Sequence, residues 1–193
     1  MRYLFYISLV SLLSGCLGTN KPPPENTSYD FGLAVEIGAL ETTVEIGQIT
    51  AIDAVDHRRI RYRLNYQNPT EVHTYSQHRW TTSPADLTAS KLRSMAKVSN
   101  PSQCTIKIHI ETFDHVFQSA NNSSGVVKLH ASIYTKRSRE TLASTVVQEE
   151  VVSASADAKG GVAALDQAST AAIKNLVDWA NKVAGDTNAC TKG

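Results

Sequence analysis

The chain has 193 residues, 41% of them hydrophobic and 7% aromatic, and nineteen basic residues against eighteen acidic give a formal charge of +1. That length and apolar share suffice for one compact domain with its own core, while near-neutrality excludes a global attraction to nucleic acid or anionic lipid and leaves polar recognition to local groups. Beyond the N-terminus no apolar run approaches the roughly eighteen residues that a spanning helix requires.

At the N-terminus, Arg2 supplies a short positive region, and Tyr3 to Leu13 form an apolar stretch too short to span a bilayer but suited to a signal peptide. Leu13-Ser14-Gly15-Cys16 follows at once and looks like a bacterial lipobox, in which small residues admit the signal peptidase and the cysteine thiol accepts diacylglycerol. Residues 1–15 are therefore expected to be removed and Cys16 to begin the mature, lipidated protein. An ordinary cleaved signal beside a chance cysteine is the alternative. One acyl chain holds a protein only reversibly and several hold it durably, so this pattern predicts a permanent membrane anchor. Leu17 stands where an aspartate would retain the protein; by resemblance to enterobacterial sorting its presence favours the outer membrane, with the domain facing the periplasm. Residues 16–28, with Pro22-Pro23-Pro24, cannot bury surface and read as an extended tether to a domain over 29–193.

Strand signals dominate from Phe31 to Tyr75. Val44, Ile46 and Ile52 alternate with polar or small residues, and Ile60, Tyr62 and Leu64 alternate more cleanly with Arg59, Arg61 and Arg63. Asn68-Pro69 marks a turn before a short strand at Glu71 to Tyr75. Ser83-Pro84-Ala85-Asp86 is a helix start, with Ser83 as cap, Pro84 in the first turn and Asp86 closing a capping-box-like arrangement; the helix is expected to run to about Lys97, ended by Asn100-Pro101.

A three-strand meander comes next. Cys104, Ile106, Ile108 and Ile110 share one face, whereas Phe113 and Phe117 fall on the opposite parity, which places a bulge or twist near Thr112. Val127, Leu129, Ala131 and Ile133 alternate along the second strand, and the third runs from about Leu142 to Val152. Gly160-Gly161 then precedes a long helix with Leu165, Ala168, Ala172, Ile173, Leu176, Trp179 and Val183 as its apolar stripe, and Gly185 as its natural stop. This order predicts an α+β two-layer sandwich, two helices packed on one face of a mainly antiparallel sheet.

Candidate sites are few. Cys104 and Cys190 are an even pair in an exported chain, most simply a disulfide. A metal pair or a reactive thiol is the alternative, and neither cysteine has a CxxC neighbour or an adjacent base. Arg59, Arg61 and Arg63, with Arg58 beside them, are candidates for contact with phosphate or an acidic partner, although a strand with one solvated face has the same pattern. Phe113 and Phe117 mark either an interface with another chain or merely the bulge. Trp80 reads as a core anchor under the strand-to-helix connection. Histidines 57, 73, 78, 109, 115 and 130 lack a ligand spacing, so no metal or other cofactor is expected, and no GxSxG elbow, carboxylate pair or phosphate loop points to catalysis.

The run Ile60-Arg61-Tyr62-Arg63, a short strand ending near Tyr75, His78-Arg79-Trp80 and the helix from Pro84 together resemble the core signature of the ABC-type transport auxiliary lipoproteins, the PqiC-like family, in which a strand like "IvyR" leads to "rWaepl" and a helix. Trp80-Thr81-Thr82-Ser83-Pro84 keeps the tryptophan and lacks the usual acidic-proline pair. The apolar strand ending in phenylalanines, Cys104 to Phe117, also fits, and with the lipobox the resemblance covers nearly the whole chain. It implies a non-catalytic subunit associated with a mammalian cell entry (MCE) protein and, through it, an ABC transporter in lipid transport. A homo-oligomeric ring is implied by the same analogy, and the ATPase would lie on other chains. Within that reading the protein is either a docking collar or a direct lipid contact.

Overall fold

Alternation and helical spacing resolve into nine strands and two helices in the computed structural model, which describes residues 25–33 and 40–190; the signal segment, Cys16 and the tether up to residue 24 lie outside them. The elements are β1 (Thr27–Tyr29), β2 (Leu40–Thr42), β3 (Glu45–Ala51), β4 (Arg59–Leu64), β5 (His73–Trp80), α1 (Pro84–Met95), β6 (Ala96–Val98), β7 (Cys104–Ser119), β8 (Asn122–Thr135), β9 (Thr141–Val152) and α2 (Ala158–Asp186), with one 3-10 turn at Asn188–Cys190. Seven strands form one sheet in the order β1-β5-β4-β7-β8-β9, β3 pairing with the first half of β7; β2 and β6 form a small parallel pair. The long ladders β7/β8 and β8/β9 are antiparallel, and both helices pack on one face, as the α+β reading expects.

Local signals explain most boundaries. The Asp86 backbone N–H donates to the Ser83 hydroxyl and Pro84 opens α1. The helix stops at Met95 rather than Lys97, because Ala96–Val98 turn to pair with β2. α2 begins earlier than the glycines indicate: Asp157 caps it by accepting from the Gly160 N–H at 2.8 Å, and Gly160 and Gly161 lie inside its first turn. No described helix is long and apolar enough to cross a membrane.

The register of β7 shifts between Ile110 and Thr112, so an extra residue intervenes where parity changes. Ile110 then faces the same way as Phe113, and the two oppose Leu129 and Val127, all four essentially fully buried. Trp80, 1% exposed, meets Phe113 edge-on at 5.7 Å and Phe31 at 5.9 Å between ring centroids. That aromatic cluster fills the corner where the chain runs out of β1 and β5.

α2 lies unusually close to the sheet at its start. Gly125 of β8 sits where a Cβ would come within 2.4 Å of the Leu165 nitrogen, and a Cβ on Gly161 would come within 2.4 Å of the His115 ring. His115 and Gly125 are register partners across β7 and β8, so the two glycines remove bulk from both sides of one contact. At the other end of the domain, Cys104 and Cys190 form a disulfide with Cα atoms 5.1 Å apart, tying the 3-10 turn to the start of β7.

Two stability measurements follow from these contacts. An Ala-for-Gly change inside a helix ordinarily stabilises by about 0.5–1 kcal/mol, yet Gly161→Ala should destabilise by about 1–3 kcal/mol in urea unfolding, because its methyl overlaps His115. Gly185→Ala, which meets nothing within 4 Å, is the control and should be neutral or stabilising; equal behaviour of the two would refute the close approach. Cys104→Ser/Cys190→Ser opens a loop of 86 residues and should lower stability by about 4 to 5 kcal/mol on the chain-entropy account, seen as a lower melting temperature.

Candidate functional site

β4 runs through the middle of the sheet, antiparallel to β5 on one side and parallel to β7 on the other. Its Ile60 and Tyr62 face the helices, and its arginines face the opposite, open side. The structure divides those arginines. Arg61 is 7% exposed and lies beside fully buried Asp114, its register partner on β7. The Arg61 Nη2 donates to Asp114 Oδ2 at 3.3 Å, and Nε approaches Oδ1 to 2.7 Å as an ion contact off hydrogen-bond alignment. Arg63 Nε donates to the same carboxylate at 2.6 Å, and its Nη1 donates to the Pro69 carbonyl. Arg61 also donates to the Ala54 carbonyl in the loop between β3 and β4.

Removing one partner from a buried ion pair costs about 3–5 kcal/mol, more than an exposed contact with an outside anion returns. Of the three arginines expected as candidates for phosphate or partner contact, Arg61 is buried against Asp114 and Arg63, 26% exposed, is engaged with the same carboxylate. Arg59 remains exposed. Opposite it in register, across β5, stands Arg79, which the sequence pattern did not single out as a partner. Arg58 lies alongside, its Nε donating to the Trp80 carbonyl at 3.0 Å. Among the described residues none of these three guanidiniums has a carboxylate within ion-pair distance.

Phe113 and Phe117, 1% and 8% exposed, lie in the buried layer beneath the helices, so neither ring presents a surface to a second chain. Of the two readings of their parity, the bulge accounts for them.

The histidines are spread over both faces. His109 and His130 are register partners on the open face; His130 Nε2 contacts Glu111, Lys128 Nζ lies 3.0 Å from the same carboxylate, and His109 Nδ1 pairs with the Thr50 hydroxyl at 2.8 Å. The His130 and Lys128 contacts hold Glu111 below the usual carboxylate range. No group of three or more potential ligands able to hold a metal occurs among the described residues.

His115 is different, being fully buried beneath Gly161 on the helix side. Its Nδ1 pairs with the Tyr75 hydroxyl at 2.8 Å and its Nε2 with the Ser153 hydroxyl at 3.2 Å, the two partners a neutral imidazole can satisfy. Burial pushes its pKa down to about 4, against a weak upward pull from Asp157. Burial likewise raises Tyr75, aided by Tyr62 and Asp157. A serine, a histidine and a third hydrogen-bonding group thus stand in line, with the imidazole between them fully buried against Gly161 at the start of α2.

With this geometry in hand, the comparisons with known proteins are specific. Residues 32–177 match the family described as the ABC-type transport auxiliary lipoprotein component. A crystal structure of a Xanthomonas campestris protein of the DUF330 family superposes with a TM-score of 0.69 at 19% identity, covering 83% of this chain and 98% of that one. A second crystal structure, of an uncharacterised protein, gives 0.62 at 9% identity over 80% and 98% of the two chains. These two similarities establish the fold. No curated protein matches the chain.

The buried neutral histidine sets a pH dependence of known sign. An unfolded histidine titrates near 6.5, so between pH 6.5 and 4 the unfolded chain binds the extra proton and acidification favours unfolding. The contribution of His115 is fully present above about pH 6.5 and is lost as pH falls toward about 4, up to about 3 kcal/mol in all. Urea midpoints should fall between neutral and mildly acidic buffer, and His115→Gln should flatten that slope; an unchanged slope in the variant would show that other groups carry it.

Proposed function

The chain belongs to the family of ABC-type transport auxiliary lipoprotein components, and from that premise we propose that it is the outer-membrane-anchored, non-catalytic docking subunit of a system in which an MCE-domain protein and an ABC transporter move lipid between the two membranes. Cys16 carries the anchor, residues 16–28 are the tether that joins the domain to it, and the folded unit offers a rigid surface to the partner.

What carries the choice of docking over lipid carriage is the filling of the space between the layers. The gap bounded by Val44, Ile46, Leu92, Ile106, Ile108 and Leu176 holds only about 10 Å³, whereas pockets for ligands of lipid size measure roughly 300–1,000 Å³. Two larger grooves lie outside the layers, one of about 520 Å³ between residues 30–33 and the two helices, the other of about 730 Å³ beside β2 and the end of α2 and lined largely by polar residues such as Glu41, Thr43, Asn100 and Asn181. The walls of the first also include Phe31, Leu33, Leu87 and Met95, but they carry Asp30, Asp86 and the Lys91–Asp166 ion pair, charges that an acyl chain would strip of water without replacing their partners. The apolar stripe of α2 is spent on the domain's own core, with Leu165, Ala168, Ala172, Ile173 and Leu176 at 2% exposure or less.

Crosslinking and copurification from gently solubilised envelopes test the assignment. The native lipoprotein should recover an MCE-domain protein, with recovery diminished for Cys16→Ser. A reproducible partner set without MCE or ABC components would overturn it in favour of an accessory role in another envelope assembly or secretion complex.

A further inference from the structure

We propose that Arg59 and Arg79, with Arg58 at their side, form a contact site for the anionic phosphate head groups of the membrane that anchors the chain. The proposal rests on the lipoprotein reading for its membrane but not on the identity of any protein partner.

Three observations meet at one corner of the sheet. The first is the register that sets Arg59 directly opposite Arg79 on antiparallel strands. Like charges in that position repel and destabilise the pair, so their juxtaposition is a local cost the fold retains. Second, the neutralising carboxylate nearby is already taken: Asp114 is enclosed between Arg61 and Arg63. Asp53 and Asp56, in the loop that leads into β4, make no ion pair with Arg58, Arg59 or Arg79. A chain of net charge +1 thus concentrates three unmatched guanidiniums, whose planar fork suits phosphate oxygens, in one place.

The third observation identifies the occupant. β1 adds to the sheet in parallel with β5, placing Ser28 beside Arg79 and Thr27 beside His78. The chain that leads back to Cys16 therefore enters the domain at the arginine corner itself. From Cys16 to Ser28 the backbone spans at most about 40 Å when fully extended, so this corner, where the tether joins the sheet, never lies farther than that from an anchored Cys16. A phosphate-rich surface held near three unpaired arginines supplies the counter-charge that the fold does not.

The decisive experiment is vesicle cosedimentation of the mature chain, produced with Cys16 replaced by serine behind a cleavable signal so that lipidation cannot mask the contact. The probes are phosphatidylcholine vesicles with and without phosphatidylglycerol, at low and high salt. Binding is expected only with phosphatidylglycerol and should weaken with salt. Arg59→Gln/Arg79→Gln should reduce affinity about 25-fold, at about fivefold per arginine near an anionic surface. Arg93→Gln/Lys97→Gln makes the same charge change on α1 and beyond its end, and should leave binding within twofold; circular dichroism and melting confirm that both double variants fold.

Equal binding to phosphatidylcholine alone, equal loss in the two double variants, or no binding to either vesicle overturns the site. So does a result in which Arg59→Gln/Arg79→Gln leaves vesicle binding intact but lowers recovery of a crosslinked protein, which would reassign the corner to an acidic partner.

Discussion

β7 pairs along one edge with two different strands, β3 over its first half and β4 over its second, and along the other edge with β8 for nearly its whole length. A strand flanked in this way cannot slip, and the extra residue between Ile110 and Thr112 decides what each half shows to the helices. Without it, Ile106, Ile108 and Ile110 would face the core while Phe113, His115 and Phe117 faced outward. With it, all six lie on the helix side, and Asp114 and Val116 turn to the open face. The aromatic corner, the bed for the start of α2 and the arginine cage around Asp114 all follow from that single insertion.

How much of this was legible beforehand follows from the range of each interaction. The cap at Ser83, the stripe of α2, the alternation along β8 and the corner role of Trp80 are written in residues a few positions apart, and the structure agrees with each. Fold class follows from the order of such elements. The fate of the arginines depends on partners far along the chain: Arg61 and Asp114 are separated by 53 residues, and strand periodicity alone cannot say whether a polar face meets water or a buried carboxylate. Arg79 looked like part of a tryptophan motif, and only the irregular register of β4 against β5 brings it opposite Arg59. β6 was invisible because three residues following a helix carry no period. The parity break at Phe113 was the one non-local feature that left a mark, and it admitted two readings that only burial separates.

The two faces of the sheet obey different rules. Beneath the helices, polar groups are few and matched, His115 between two hydroxyls being the clearest case, and small residues such as Gly125, Gly161 and Ala168 allow backbone and helix to close on one another. On the open side, long polar side chains cover the sheet: Arg63 overlies Asp114, and Gln118 donates to Glu150. One face thus stores stability and the other distributes charge.

The direction of β1 has a mechanical consequence. For a chain anchored as proposed, any pull between membrane and partner would enter the domain through Thr27–Tyr29. β1 is hydrogen-bonded along its length to β5, so tension drawn along the strand axis loads those bonds together, in shear, whereas tension across it would peel them one at a time. Behind the strand, Phe31 is wedged between Trp80 and Phe113 with the Lys91 ammonium 5.0 Å from its ring centroid. The short strand and its aromatic wedge would thus meet traction from the N-terminal side before the long ladders of β7, β8 and β9.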